Sequence, residues 1–243
     1  MEIFILLMRF KYQKILALCV MLLTTFSTQA ESFYELDFSN ASGDVKGWFE
    51  KLNWVFQKDI EEMNLRFEEG KLVFEPTKDA LGVMMRDFEP KDYLHDVTKV
   101  RIEWGVDQYP LGADWSGPVD QTRNTREAIS FMIFFGEKKL NSGFFLAPDL
   151  PYFISLFLGK DERPDQVYLG NYWQEGGRYL CIPCDGKREK TYVTEINISN
   201  KFMELFDKKP LPITALGIEV DVQKTKKSNG RHSKAYIKRV ELF

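Results

Sequence analysis

The stretch "TKVRIEWGVD", residues 98–107, alternates with period two. Val100, Ile102, Trp104 and Val106 fall on one side of an extended chain, and Arg101, Glu103 and Asp107 fall on the other. Only a strand with one covered face explains that pattern. Similar short segments recur to the C-terminus. "NLRFEEGKLVFEP" (64–76) reads as two strands around Glu69-Gly70. Further segments are "LGVMMRDF" (81–88), "AISFMIFFG" (128–136), "PYFISLFLG" (151–159), "GGRYLCIPC" (176–184), "KTYVTEINI" (190–198), "ALGIEVDV" (215–222) and "KAYIKRVELF" (234–243). The nearly all-apolar 128–136 suits a central strand covered on both faces. Only "SNKFMELF" (199–206) has a helical period, with Ser199 or Asn200 as its cap. About nine or ten short strands broken by Gly, Pro and Asn predict an all-β fold. The expectation is one jelly-roll-like antiparallel β-sandwich with one short helix.

The N-terminus is a separate matter. Arg9, Lys11 and Lys14 precede an apolar run from Ile15 to Leu23, too short for a bilayer span of about 20 residues. Thr28 and Ala30 stand at the −3 and −1 positions of a small-residue cleavage site. Residues 1–30 therefore read as a signal peptide, and 31–243 as a single β-sandwich domain. The expected destination is exported, periplasmic or extracellular, with no transmembrane segment after cleavage. Residues 31–243 carry 30 Lys and Arg against 35 Asp and Glu, which argues against a nucleic-acid partner.

Cys181 and Cys184 are the cysteines left after cleavage. The residues after Cys184 make a turn with charges, not the helix a low-pKa redox pair needs. An extended i to i+3 pair stands about 10 Å apart, too far for a disulfide. Pro183 can fold the pair into a turn, so a disulfide and two unpaired thiols both stay open. Zinc would need two more ligands, and His95 and His232 lie in different hairpins beside charges, as surface histidines do. No metal site is expected, and structural calcium is the one ion left open. No nucleophile elbow, HExxH motif, P-loop or G-x-G-x-x-G is present, and no catalytic residue is assigned.

Two groups of residues point to ligands. The long connection 107–127 holds Asp107, Tyr109, Trp115, Arg123 and Arg126, and the turn "NYWQEGGRY" holds Tyr172 and Trp173. Sugars bind through aromatic faces and convergent polar groups. The bland alternative is that Trp115 folds back over the sandwich edge. Glu219 and Asp221, two apart on one strand, leave the same face. They serve as ion-pair partners of Lys234 and Lys238 on the last strand in one reading, as a cation site in a second, and as an acid–base pair in a third. The basic stretch "QKTKKSNGRHSK" (223–234) reads as a solvated turn, with an anionic partner as its alternative.

The stretches "VRIEWGVDQYPLGADWSGPVDQTRNTREAISFMIFFG" and "ITALGIEVDVQKTKKSNGRHSKAYIKRVELF" resemble the bacterial "domain of unknown function 3047" family of secreted proteins, over residues 64–243. The resemblance implies a β-sandwich like galactose-binding and carbohydrate-binding modules, and it implies no activity. The expectation is a non-catalytic exported module that binds polysaccharide or another envelope ligand. A glycan-active enzyme using paired carboxylates, and a scaffold without a small ligand, are the alternatives.

Overall fold

Alternation decides which residues face inward in the computed structural model, which describes residues 32–117 and 125–243. The signal-peptide reading of residues 1–30 lies outside them. Thirteen strands are described: β1 (Tyr34–Asp37), β2 (Val55–Lys58), β3 (Arg66–Glu68), β4 (Lys71–Phe74), β5 (Leu81–Asp87), β6 (Lys99–Gln108), β7 (Glu127–Leu140), β8 (Leu150–Phe157), β9 (Val167–Tyr168), β10 (Gly177–Cys181), β11 (Tyr192–Asn197), β12 (Ile213–Asp221) and β13 (Lys234–Leu242). Helices α1 (Val45–Glu50) and α2 (Ile198–Phe206) accompany them.

The strands make two sheets. The six-stranded sheet runs β11-β6-β13-β4-β3, with β1 also on β13. The seven-stranded sheet runs β2-β5-β12-β7-β8-β10-β9. Between them lies the core, with Val100, Ile102, Trp104 and Val106 of β6 packed in one cluster with Phe131, Ile133 and Phe135 of β7 and with Leu216, Ile218 and Val220 of β12. Its buried indoles are satisfied: Trp104 Nε1 donates to Thr194 Oγ1 at 2.9 Å, and Trp54 Nε1 to Tyr34 Oη at 2.8 Å. The β3–β4 hairpin turns at Glu69 and Gly70, both at positive φ, as a two-residue loop requires.

The structure departs from the sequence expectation in four places. Helix α1 is a second helix. Asp44 Oδ2 accepts from Gly47 N at 2.7 Å to start it, and the buried Val45 and Phe49 hold it. Asn197, not Ser199 or Asn200, caps α2, accepting from Asn200 N at 2.8 Å. The pairing of β8 with β10 is parallel, because residues 158–176 are long enough for a crossover. Finally, β12 and β13 lie in opposite sheets rather than side by side.

Candidate functional site

The register of the seven-stranded sheet builds a second apolar layer on its outer face. The inward residues of β7 belong to the core, so Ser130, Met132 and Phe134 face out. Glu219, Gly217 and Ala215 of β12 are their Cα partners on one side. Phe157, Ser155 and Phe153 of β8 are their partners on the other, followed by Cys181, Tyr179 and Gly177 of β10. Met132, Phe134, Phe153, Phe157 and Tyr179 form one buried cluster.

Trp115 roofs this cluster. It is 6% exposed, 4.5 Å from Tyr179 and 5.4 Å from Phe157 by ring centroids. The long connection between β6 and β7 is tied down at that residue. The Trp115 amide donates to Glu162 Oε1 at 3.1 Å, and its indole donates to Glu127 Oε2 at 3.2 Å. Glu162 also accepts from the amides of Lys160 and Asp161, at 2.7 and 3.1 Å. Gly159 permits this: a Cβ there would stand 2.3 Å from Cys181 Sγ and 2.4 Å from Glu162 Oε2.

At the start of β7 the charges converge. Glu127 is the Cα partner of Asp221, and one strand irregularity separates that pair from Glu219 and Ser130. Glu127 and Glu219 are hydrogen-bonded to each other. Arg126 pairs with Asp221 and donates from Nε to the Gln223 carbonyl at 3.2 Å. Three carboxylates therefore lie in the field of one guanidinium, with Glu127 bonded to an indole. Burial pushes the Glu127 carboxyl well above the usual range, reinforced by the charges of Glu219 and Asp221. Burial raises Glu219 as well, and lifts Asp221 to about 7 against the pull of Arg126. Glu127 is 3% exposed, whereas Glu219 is only half-buried and is the member that solvent reaches. Ser130, facing Glu219 across the ladder, is wholly buried, and its hydroxyl finds no protein partner; Ser155 is the same.

The structure thus joins Trp115 and Arg126 of the long connection with the Glu219 and Asp221 pair, which the sequence offers as two separate groups. Tyr172 and Trp173 lie apart, at the other end of the same face. Trp173 reaches Tyr179 through Phe153, with centroid steps of 6.3 and 5.6 Å. Tyr109 and Asp107 do not join. Tyr109 is buried in the inter-sheet core, and burial raises its hydroxyl. Asp107 faces out of the opposite sheet and pairs with Lys234 at 3.4 Å. Arg123 lies outside the described residues. The expected pairing of Lys234 and Lys238 with Glu219 and Asp221 does not occur. Lys238 pairs with Glu103 at 3.9 Å, because β13 neighbours β6 and not β12.

Cys181 and Cys184 form a disulfide across the turn at Pro183, with Cα atoms 5.6 Å apart, and Cys181 packs in the aromatic cluster. His232 is buried, not a surface residue, with Nδ1 2.8 Å from Thr225 Oγ1. The basic stretch is partly neutralised, since Arg231 pairs with Glu75 and Lys234 with Asp107. Among the described residues no three His, Cys, Asp or Glu side chains are placed to hold a metal ion.

Glu127, Ser130 and Tyr179 are the members that sequence reasoning passed over. Their signal was a polar residue at the head of, or inside, an otherwise apolar strand.

No family model matches this chain, and no curated protein matches it. Among solved structures it is similar to the metal-free carbohydrate recognition domain of Emp46p, with 15% identity, TM-score 0.42, and coverage of 88% of this chain and 97% of that one. It is also similar to a family 29 carbohydrate binding module, with 11% identity, TM-score 0.30, and coverage of 86% and 89%. Both likenesses are distant, and the sandwich stands on the strand register above.

Proposed function

We propose that the protein is an exported, non-catalytic module that binds saccharide at the Arg126–Glu127–Glu219–Asp221 end of the seven-stranded sheet. One observation carries the reading. Convergent charged groups sit beside an aromatic wall of Trp115 and Tyr179, with Glu219 half-buried and the least sealed of the three carboxylates. Carboxylates and a guanidinium take hydroxyl groups at the half-buried Glu219, while the buried Trp115 and Tyr179 rings wall the site and hold the charged groups in place. Export is supported by the basic and apolar N-terminal pattern and by the disulfide, since disulfides persist in oxidising compartments.

Hydrolysis is the second reading, and the geometry favours it less. Acid and base in glycoside cleavage stand about 5–10 Å apart around the bond. Here Glu127 and Glu219 sit on neighbouring strands and act directly on each other's proton affinity, rather than on opposite sides of a cleft. A thermal-shift panel of soluble polysaccharides tests the binding reading. A ligand at 100 times its Kd stabilises by about 2.7 kcal/mol. The expected result is a shift with one polysaccharide class that Glu219→Gln abolishes. A panel that never shifts the melt, or a shift untouched by Glu219→Gln, would sink it. Reducing-sugar release from the bound polysaccharide would replace it with the hydrolytic reading.

A further inference from the structure

The Arg126–Glu127–Glu219–Asp221 end of the seven-stranded sheet holds more acceptors than donors. The Asp221 oxygens are supplied, Oδ1 by Gln223 N at 3.0 Å and Oδ2 by Arg126. Glu127 Oε2 takes the Trp115 indole at 3.2 Å. Beyond that, Glu127 and Glu219 have each other, and two carboxyl groups bond only through a proton that one of them carries. Arg126 is the cation that acts on all three carboxylates. The surplus here is of oxygen and of negative charge.

A second observation does not involve the acids. Ser130, the Cα partner of Glu219 on the same face, is wholly buried, and its hydroxyl has no hydrogen-bond partner among the described residues. A buried polar atom left so costs free energy. It stands behind the carboxylate that is least sealed, as one more acceptor that the protein does not fill.

The register shows where a ligand can approach. Trp115 covers the face over β8 and β10, through Phe157 and Tyr179. On the other side of β12 the face is open. Glu219 is the Cα partner of Val83 on β5, and Val83 of Gln57 on β2; Met85 and Val55 follow along the same face. Val55 is 57% exposed, Gln57 is exposed, and Val83 and Met85 are half-buried. Glu219 thus lies on the boundary between a covered half and an uncovered aliphatic half, with one amide side chain within the latter.

The surplus discriminates among ligands. An acidic saccharide would add a further anion. A hydroxyl group would add a donor and leave the charge as it is. A metal ion finds no set of three ligands among the described residues. An ammonium group brings a positive charge and three donors at once, and so does the task that a proton does between Glu127 and Glu219.

We propose that the saccharide bound at this end carries a free amine, whose ammonium sits on Glu219 while the sugar ring lies over Val83 and Met85. This rests on the saccharide reading and narrows its ligand class to amino sugars.

The test is calorimetric titration of the purified protein at neutral pH with three soluble oligomers of equal length: β-1,4-linked glucosamine, its N-acetylated form and the plain glucose oligomer. Hydrogen bonds to charged groups are the strong ones, so the glucosamine oligomer should bind roughly tenfold or more tighter than the other two. Glu219→Gln should erase that preference. Val83→Lys, which sets a resident ammonium beside Glu219, should erase it too. Glu195→Gln, an exposed acid on the other sheet, should leave it unchanged. Equal affinity for all three oligomers, lost in Glu219→Gln, would overturn the amine and leave the saccharide reading standing. A preference that survives Glu219→Gln would overturn it as well, by placing the ammonium elsewhere. So would an oligolysine that competes as well as the amino sugar, since any cation would then serve. If none of the three binds, the amine inference falls, and the saccharide reading falls with it only if the polysaccharide thermal-shift panel is silent too.

Discussion

The two sheets share one core, and their outer faces treat charge in opposite ways. On the six-stranded sheet, Arg66, Lys99, Lys234, Lys238 and Arg239 each find a carboxylate within 2.7–3.9 Å, and all of these pairs are partly exposed. Water screens them, and each contributes about 0–1 kcal/mol. The hydrogen bond from Arg66 holds the Glu68 carboxyl below its usual range. On the seven-stranded sheet the same residue types converge beside Trp115, which holds Glu127, with three carboxylates to one guanidinium. Burial pushes all three upward. Residue type is thus a poor guide to role. A face that pairs its charges in water is a surface, whereas one that buries unlike numbers of them is held for a ligand or a proton.

The sharpest way to break this contrast is to remove the roof. Trp115→Ala deletes a buried ring and exposes Glu127, to which its indole donates. Large-to-small changes of this kind cost about 3–5 kcal/mol. We expect a fall of that size in urea unfolding, with Glu127 then accessible to carbodiimide modification. A loss under about 1 kcal/mol would mean the indole does not seal the site.

Acidity sharpens the contrast next. The Asp221 carboxyl moves from an ordinary 3.8 to about 7 in the folded protein. Between those values the native state holds a proton that the unfolded chain releases. This contribution is fully present below pH 4 and is lost as pH rises through 7. Glu127 and Glu219, also raised, act in the same direction. One unit of pKa is about 1.4 kcal/mol, so Asp221 alone sets a scale of about 4 kcal/mol. Asp221→Asn should therefore flatten the decline in urea midpoint between pH 4 and 8. Parallel wild-type and variant curves would refute the assignment. Glu68, lowered rather than raised, works in the reverse sense, so Glu68→Gln should remove a gain with pH instead.

Much of the architecture was readable because period two is a local property. The inward set of β6 and the Glu69-Gly70 turn follow from a few neighbouring residues each. Helix α1 was not readable. It is six residues long, has Gly47 in its middle, and owes its existence to Asp44 and to packing of Phe49 in the core. Strand partners are also hidden from local pattern. Lys234 and Lys238 had acids at suitable spacing on both β6 and β12, and only the sheet assignment decides between them. The candidate site was half visible. Glu219 and Asp221 were legible as a same-face pair, and Trp115 and Arg126 as oddities in a long connection. That Arg126 meets Asp221 is a contact over 95 positions, which no spacing rule supplies. Ser130 and Ser155 did leave a mark, each interrupting an apolar run that otherwise has no reason to carry a hydroxyl.

The smallest effect is expected where the pairing looks most orderly. Lys238 stands 3.9 Å from Glu103, and both side chains are about a third exposed. Lys238→Ala should shift stability by no more than about 0.5 kcal/mol, and less in high salt, because water already screens the pair. Arg126→Met, on the opposite face, should cost more as pH rises, since Asp221 holds a proton at pH 5 in either protein, whereas at pH 8 the variant must either keep that proton or ionise without its partner. Removing one partner of a buried pair costs about 3–5 kcal/mol at the ionised limit. If the two variants gave equal losses at pH 8, the outer faces would not differ in kind. If Arg126→Met were costly at pH 5 as well, the guanidinium would be acting through its bond to the Gln223 carbonyl and not through Asp221.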